Sequence, residues 1–330
     1  MQNTSKTILV TGGTGFIGSH LVEKLVFDGR KVRCLVKSES DCRHLEKLGV
    51  EIFKGDLTNF NSLNGIEKDI RSVFHLAAIA RPMAIDNQLY FRVNTDGTRN
   101  LLEVFKNHRL EKFIHISSIS VVGPSRNGEP VNEKTPLKPI DVYGQSKLMA
   151  EKVIFEFIDE IPAIILRPSM VFGPRDFEML KFFKTVKTGF FPICGSKKGH
   201  FEFCYVGNLV EACLLAEEKG QIGEIYHISN EKSYTLREIL KIISEAEGVK
   251  LMPFCFPNFL MSFAGLIMES LGRILKFQPY FSRNTVKWMS TDFWVSDISK
   301  IKKELNYQYR YSLEQGVQKT VEWYKKYGYL

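Results

Sequence analysis

The opening of the chain constrains its fold more than anything that follows. A run of β-forming residues, Thr7–Thr11 (TILVT), passes straight into the glycine loop TGGTGFIG, Thr11 to Gly18. Helical apolar spacing then covers Ser19–Asp28 and stops at Gly29, a residue suited to closing a helix. The glycines have separable uses: Gly12 makes the tight turn, Gly15 lets backbone approach a pyrophosphate, and Gly18 permits close packing of the helix. The helix N-terminus turns backbone N–H groups and the positive end of its dipole on the phosphates, which brings in Thr14, Phe16 and Ile17. Strand, loop and helix in this order predict a dinucleotide site in preference to a plain turn.

The first half repeats the alternation. Strand-like runs at Val32–Val36, Glu51–Phe53, Ser72–Leu76, Phe113–Ser117 and Ala163–Arg167 are separated by helical patches, one of them around Thr95–Asn107. That pattern predicts an α/β fold, a doubly wound parallel Rossmann sheet with helices on both faces. A length of 330 residues suits about two domains. After Gly173 and Pro174 the texture changes, with helical patches Asn208–Lys219 and Thr235–Glu247 around a strand, Glu224–Ile228. Residues 1–173 are therefore assigned to a Rossmann domain, with 203–230 returning to it, and 174–330 mainly to a smaller α/β substrate-binding lobe.

Composition removes several function classes. The net charge of +8 is spread over short pairs such as Lys197–Lys198 and Lys302–Lys303, whereas a nucleic-acid footprint would gather it on one face. The six cysteines form no CxxC pair and several lie in apolar runs, which suits buried thiols in a reducing cytosol. The seven histidines form no HxxxH or HxH pair, so no metal is expected. The opening MQNTSK is too short and polar for a signal peptide, and a cytoplasmic location is expected.

The glycine loop reads GxxGxxG and is followed by GDL (Gly55 to Leu57), HLAA (His75 to Ala78) and NTDGT (Asn94 to Thr98). In that order these elements resemble the extended short-chain dehydrogenases/reductases, the NAD-dependent epimerase/dehydratase superfamily. The resemblance implies that Asp56 and Leu57 border the adenine, that Leu76, Ala77 and Ala78 let the coenzyme lie against backbone, and that Asn94 opens a helix beside it. Taken alone, Asp56 reads equally as a helix cap. Where an NAD enzyme carries an acid at the end of the second strand, this chain has Lys37, with Glu39 close by. Lys37 could pair with a 2′-phosphate or simply be solvated, so the coenzyme is NAD or NADP with a lean to NADP.

Tyr143-Gly-Gln-Ser-Lys147 is a YxxxK element, and an i, i+4 pair shares one helical face. A lysine ammonium and an oxidised nicotinamide would favour the phenolate and draw Tyr143 toward working range. The resemblance implies that Tyr143 is the acid/base, that Lys147 also holds the nicotinamide ribose, and that a hydroxyl in HISSISVVG (His115 to Gly123) completes the set. Alignment on Gly123 selects Ser118, with Ser117 as the fallback and His75 and His115 as scaffold. RPSMVFGPRD (Arg167 to Asp176) is similar to the family's RPxxVYGP segment, which puts Pro168 beside the nicotinamide and Ser169, Met170 and Val171 beside the substrate. A homodimer through the Asn94 and Tyr143 helices is also implied.

Substrate-side residues separate the classes. A sugar 4,6-dehydratase needs an acid after the hydroxyl residue, and this chain has Ile119 there. Epimerases of nucleotide sugars need cations for a diphosphate, often an Arg in a segment like RDFVYVDD, and that position here is Phe201. Arg283 or Lys287 could still serve, which keeps a nucleotide-sugar 4-epimerase as the alternative. The absence of Lys and Arg from Gly199 to Glu218 points to an apolar substrate, with Phe201 lining its site and Glu211, Glu217 and Glu218 as solvated helix charges. YVGN (Tyr205 to Asn208) and the uncharged stretch 251–268 resemble 3β-hydroxysteroid dehydrogenase-like enzymes. Pro253 and Pro257 argue against a spanning helix there, leaving a substrate lid, a packing surface or a peripheral membrane contact. The favoured reading is interconversion of a secondary alcohol and ketone on a steroid-, terpenoid-, flavonoid- or acyl-like substrate. A non-catalytic dinucleotide sensor is disfavoured by Ser118, Tyr143 and Lys147.

Overall fold

Strands β1 (Thr7–Thr11), β2 (Val32–Val36), β3 (Glu51–Lys54), β4 (Ile70–His75), β5 (Lys112–Ile116) and β6 (Ala163–Pro168) lie where the alternation predicts them. The computed structural model describes residues 7–80, 86–125, 127–193, 199–230, 232–255, 258–275 and 293–330. Beyond β6 come shorter strands: β7 (Met170–Phe172), β8 (Phe190–Ile193), β9 (His200–Phe201), β10 (Phe203–Tyr205), β11 (Ile225–Ile228), β12 (Tyr234–Thr235), β13 (Met252–Cys255) and β14 (Phe293–Trp294). One seven-stranded sheet runs β3-β2-β1-β4-β5-β6-β11, with every pairing parallel. The chain winds outward in both directions from β1, whose Thr11 sits in register with Leu35 on one side and His75 on the other. In such sheets the ligand crevice opens outside the strand C-termini at that switch point.

Helices α1 (Phe16–Phe27), α2 (Arg43–Lys47), α3 (Asn87–Tyr90), α4 (Gly97–Phe105), α5 (Val142–Glu156), α6 (Phe177–Lys187), α7 (Val206–Lys219), α8 (Leu236–Glu247), α9 (Asn258–Leu275), α10 (Ser299–Leu305) and α11 (Leu313–Lys326) complete the layers. Period-2 alternation divides β1 between two cores. Ile8 and Val10 pack with Leu21, Leu25 and Leu209 from α1 and α7, whereas Leu9 joins Leu101, Phe105 and Ile154 from α4 and α5. The helix expected around Thr95–Asn107 begins earlier. Asp86 caps α3 by accepting the Gln88 N–H at 2.9 Å, and a π-helical turn over Phe91–Asp96 runs α3 into α4.

A third core joins Phe172, Phe183, Phe203, Tyr205, Ile239, Trp294 and Tyr324, from both halves of the chain. One expectation fails on α7. Glu217 is 8% exposed, held by Arg30 through two bonds of 2.6 and 2.7 Å and approached by Arg71 at 3.4 Å, so it is an internal clamp between α7, the turn after α1 and the start of β4. Its neighbours fit better with surface charge, Glu211 facing Arg310 and Glu218 facing Lys219. The uncharged stretch divides into β13 and the start of α9, and α9 exposes Phe263, Leu266, Ile267 and Leu271. Among the described residues no helix is long and apolar enough to cross a membrane. Arg283 and Lys287 lie outside the described residues.

Candidate active site

The glycine loop closes as its sequence requires. Gly12 has φ +75°, and a Cβ there would lie 2.8 Å from the Ala77 nitrogen, so only glycine lets the loop lie against the end of β4. A Cβ on Gly18 would lie 2.1 Å from the Gly12 carbonyl oxygen, which makes the close approach one of α1 to its own loop. Gly15 caps α1 with no side-chain hydrogen bond, and no acidic residue occupies the first turn. Thr14 and Gly15 are exposed, while Phe16 and Ile17 are half-buried at the helix start.

At the far side of this crevice, Lys37 follows β2 and its Nζ lies 3.0 Å from Asp56 Oδ2. Asp56 Oδ1 accepts the Thr58 N–H at 2.8 Å and the Thr58 hydroxyl proton at 2.9 Å. Asp56 therefore closes a local turn and does not cap a helix. These bonds, with the Lys37 charge, outweigh its partial burial and hold its carboxyl below the usual range. Leu57 is buried against Gly97, and Leu76, Ala77 and Ala78 leave β4 with increasing exposure. Asn94 is buried: its Oδ1 accepts the Ile79 N–H at 2.8 Å, and its Nδ2 donates to the Ile79 carbonyl at 3.0 Å and to Ser146 Oγ at 2.9 Å. The π-helical turn thereby ties the loop after β4 to α5.

Helix α5 starts at a cap in which Asp141 accepts the Gly144 N–H at 2.7 Å. The i, i+4 spacing stacks Tyr143, Lys147 and Glu151 along one face. Ser118 Oγ accepts the Ser120 N–H at 3.1 Å and donates to Ser120 Oγ at 3.1 Å, capping the turn that follows β5, and it lies close enough to Tyr143 to pull the phenol down. Burial pushes the Tyr143 phenol up to about 12 against the pull of Ser118, so the expected downward pull of Lys147 does not prevail in this arrangement. Lys147 is 1% exposed with Nζ 3.0 Å from His115 Nε2, and burial lowers it to about 7 despite Glu151. Ser117, the fallback hydroxyl, is committed elsewhere: it donates to Glu151 at 2.5 Å, and Glu151 also takes Arg167 through bonds of 2.9 and 2.6 Å. Sequence reasoning missed Glu151, although its place one turn beyond Lys147 was a usable signal.

Pro168 ends β6 beside Ile228. Ser169 Oγ is buried with no hydrogen-bond partner among the described residues, and Met170 and Val171 pair with Phe203 and Cys204 of β10. Phe201 stands apart from this group. It is 6% exposed in the third core, paired across strands with Tyr234 and Trp294.

A model of the NAD dependent epimerase/dehydratase family matches residues 8–229, the whole span from β1 past β11. The chain belongs to that family. Among its relatives, a 4-hydroxy-2-methyl-3-oxo-4-farnesyl-3,4-dihydroquinoline-1-oxide ketoreductase of Stigmatella aurantiaca is 28% identical over 93% of both chains. The human sterol-4-alpha-carboxylate 3-dehydrogenase, decarboxylating, is 27% identical over 97% of this chain and 89% of that one. The UDP-glucose 4-epimerase of Thermotoga maritima, solved with UDP-glucose, superposes with a TM-score of 0.81 at 26% identity, covering 97% of this chain and 99% of that one. Members of the family are NAD-dependent enzymes, and the loop here suits a dinucleotide on its own geometry. Side chains are excluded at Gly12 and Gly18, and the start of α1 lacks both a side-chain cap and an acid.

Proposed function

We propose that this protein is an NAD(P)-dependent oxidoreductase that interconverts a secondary alcohol and a ketone on a hydrophobic substrate. The observation that carries the reading is the buried Lys147 side chain one helical turn after Tyr143 on α5, at the C-terminal end of the sheet where Ser118 and the glycine loop also lie. A nicotinamide dinucleotide held by the loop, Asp56, Ala77, Ala78 and Lys147 supplies hydride transfer when bound. Ser118 orients the substrate oxygen, and Tyr143 gives or takes its proton. Lys147 places a positive charge beside the phenol and holds the ribose. Pro168, Ser169, Met170 and Val171 line the approach.

The hydrophobic substrate is supported by the apolar side chain at position 201, where an epimerase-type segment would carry an anion-binding arginine. It is supported also by relatives named for sterol and farnesyl-quinoline substrates. A nucleotide-sugar 4-epimerase is the second reading, favoured by the likeness to the UDP-glucose enzyme. Lys37 favours NADP. Residues 1–173 with 203–230 form the coenzyme unit, and the rest of 174–330 forms the substrate lobe. A second copy would pair through the outer side of α4 and α5, where Met149 and Phe155 are exposed.

Two experiments test the proposal. Tyr143→Phe lowers turnover by about a hundredfold or more, the range general acid–base groups supply, and full turnover in that variant rejects the catalytic assignment. Calorimetric titration with UDP, GDP and a panel of hydrophobic alcohols, coenzyme present, decides the substrate class. Tight binding of a nucleoside diphosphate with no response to the alcohols makes the epimerase reading the better one.

A further inference from the structure

The polar groups behind Tyr143 and Lys147 do more than hold a helix in place. A lysine ammonium carries three donors and no acceptor, so a buried one depends on the acceptors around it. For Lys147 the acceptor within hydrogen-bond reach among the described residues is His115 Nε2, at 3.0 Å, on a ring with no exposure at all. Burial, with the Lys147 charge next and that of His75 last, holds His115 well below the usual histidine range, so its ring is neutral. With Lys147 as the ammonium, the neutral ring accepts at Nε2 and carries its proton on Nδ1, which is buried with no hydrogen-bond partner among the described residues.

Behind His115 lies His75, with ring centroids 5.2 Å apart. Its tautomer follows from its neighbours. The Thr98 hydroxyl donates to the Asn94 carbonyl at 2.6 Å, so it accepts from His75 Nε2 at 2.9 Å. His75 Nδ1 is then an acceptor for the Thr11 hydroxyl at 2.7 Å, and Thr11 Oγ1 in turn accepts the Ala77 N–H at 3.1 Å. His75 is thus a neutral, doubly anchored backing for His115.

The charges around Lys147 are otherwise accounted for. Glu151, on its own helix, is paired with Arg167 of β6 and accepts a hydrogen bond from the Ser117 hydroxyl. Asp141 caps the helix start, and Tyr143 lies beside Ser118. The α3–α4 stretch presents neutral Asn94 and Thr95 to Ser146 of α5, while its Arg92 and Arg99 pair with Asp86 and Glu156 at the surface.

We propose that His115 is a positioning residue acting through Lys147: as a neutral acceptor it aims the buried ammonium and keeps it protonated while Tyr143 exchanges its proton. The inference rests on the catalytic reading of Tyr143 and Lys147, and it adds a residue that contacts neither substrate nor reacting atoms.

Ring-nitrogen NMR of the wild-type protein tests it without any substitution. The expected signature near neutral pH is an Nδ1–H tautomer with a bare, hydrogen-bonded Nε2, and an Nε2–H tautomer or an imidazolium overturns the proposal. Two variants then separate positioning from packing. His115→Leu removes the acceptor, while His115→Gln keeps one in its carbonyl oxygen. Losing an acceptor disfavours the ammonium, so in His115→Leu the Lys147 titration, read by NMR of its side chain, moves down by about one pH unit. The alkaline limb of the kcat/KM profile moves with it, and His115→Gln stays near wild type. An unmoved titration in His115→Leu, or equal behaviour of the two variants, rejects the proposal. Should His115→Leu fail to fold, the wild-type tautomer still decides. Full turnover in Tyr143→Phe would sink the catalytic reading while leaving the Lys147 titration as an independent report on His115.

Discussion

Replacing Gly18 by alanine tests the coenzyme loop in one step. The added Cβ would lie 2.1 Å from the Gly12 carbonyl oxygen and 2.7 Å from its carbon, where ordinary van der Waals contact starts at 3.4 Å. Both atoms are backbone, so no rotamer relieves the overlap. Gly12 has little room to give, because its own Cβ position is 2.8 Å from the Ala77 nitrogen and 2.9 Å from the Leu76 carbonyl carbon. The start of α1 must therefore retreat by roughly an ångström, taking its N–H groups with it, and a misplacement of that size can cost about a hundredfold. The expected result is a coenzyme Kd raised about 10- to 100-fold by calorimetry, with about 1–3 kcal/mol lost in urea denaturation from overpacking. Gly29→Ala is the control. Its Cβ meets nothing within 4 Å, but φ is +73°, so it loses about 1–2 kcal/mol of stability with coenzyme binding unchanged. Wild-type coenzyme affinity in Gly18→Ala would refute the cradle assignment. Equal binding losses in both variants would show that stability alone was being read.

Other substitutions test other parts of the site. Glu151→Ala strips the acceptors from Arg167, which is 1% exposed, and from Ser117, so it should cost about 3–5 kcal/mol in denaturation, with Glu151→Leu/Arg167→Met recovering most of that. A loss in the single variant below about 1 kcal/mol would contradict it. Lys37→Ala should weaken NADPH about tenfold by calorimetry and leave NADH nearly unchanged, and equal effects on both would remove the lean to NADP. Glu247 has both carboxylate oxygens buried without a hydrogen-bond partner among the described residues, and burial, partly offset by Lys187 and Lys325, raises it to about 7 from 4.5. A carboxyl raised in the folded state binds its proton more tightly there. Its contribution is therefore complete below about 4.5 and lost as pH rises through about 7. Glu247→Gln should flatten the fall in urea midpoint between those values, and an unchanged pH slope would refute this.

The fold was legible because each of its signals is local. Period-2 apolar runs and 3.6-period runs separated by turn residues mark the strands and helices within a few residues, and the three glycines mark the switch point. The helix over Thr95–Asn107 was placed late because the π-helical turn at Phe91–Asp96 breaks the 3.6 period that would have revealed its first turns. Glu217 was misplaced for a different reason. A carboxylate on a solvated helix face and one meeting Arg30, 187 residues away, produce the same periodicity in their own segment.

The polar site shows where two such periods meet. On α5 the spacing of Tyr143, Lys147 and Glu151 presents one stripe. On β5 alternation sends His115 and Ser117 to the side of that stripe and Ile114 and Ile116 into the α1–α7 core. Lys147 meets His115 and Glu151 meets Ser117 because helix and strand cross with these phases. A one-residue slip of β5 would put Ile114 and Ile116 opposite an ammonium and a carboxylate, and bury His115 and Ser117 among Leu21, Leu209 and Ile164. Both faces would lose by the slip, so the apolar core on one side of β5 and the polar contacts on the other enforce the same register. The strand that leads to Ser118 is therefore held by chemistry on both of its faces, and Ser118 itself, beyond the strand, caps the next turn by accepting the Ser120 N–H at 3.1 Å.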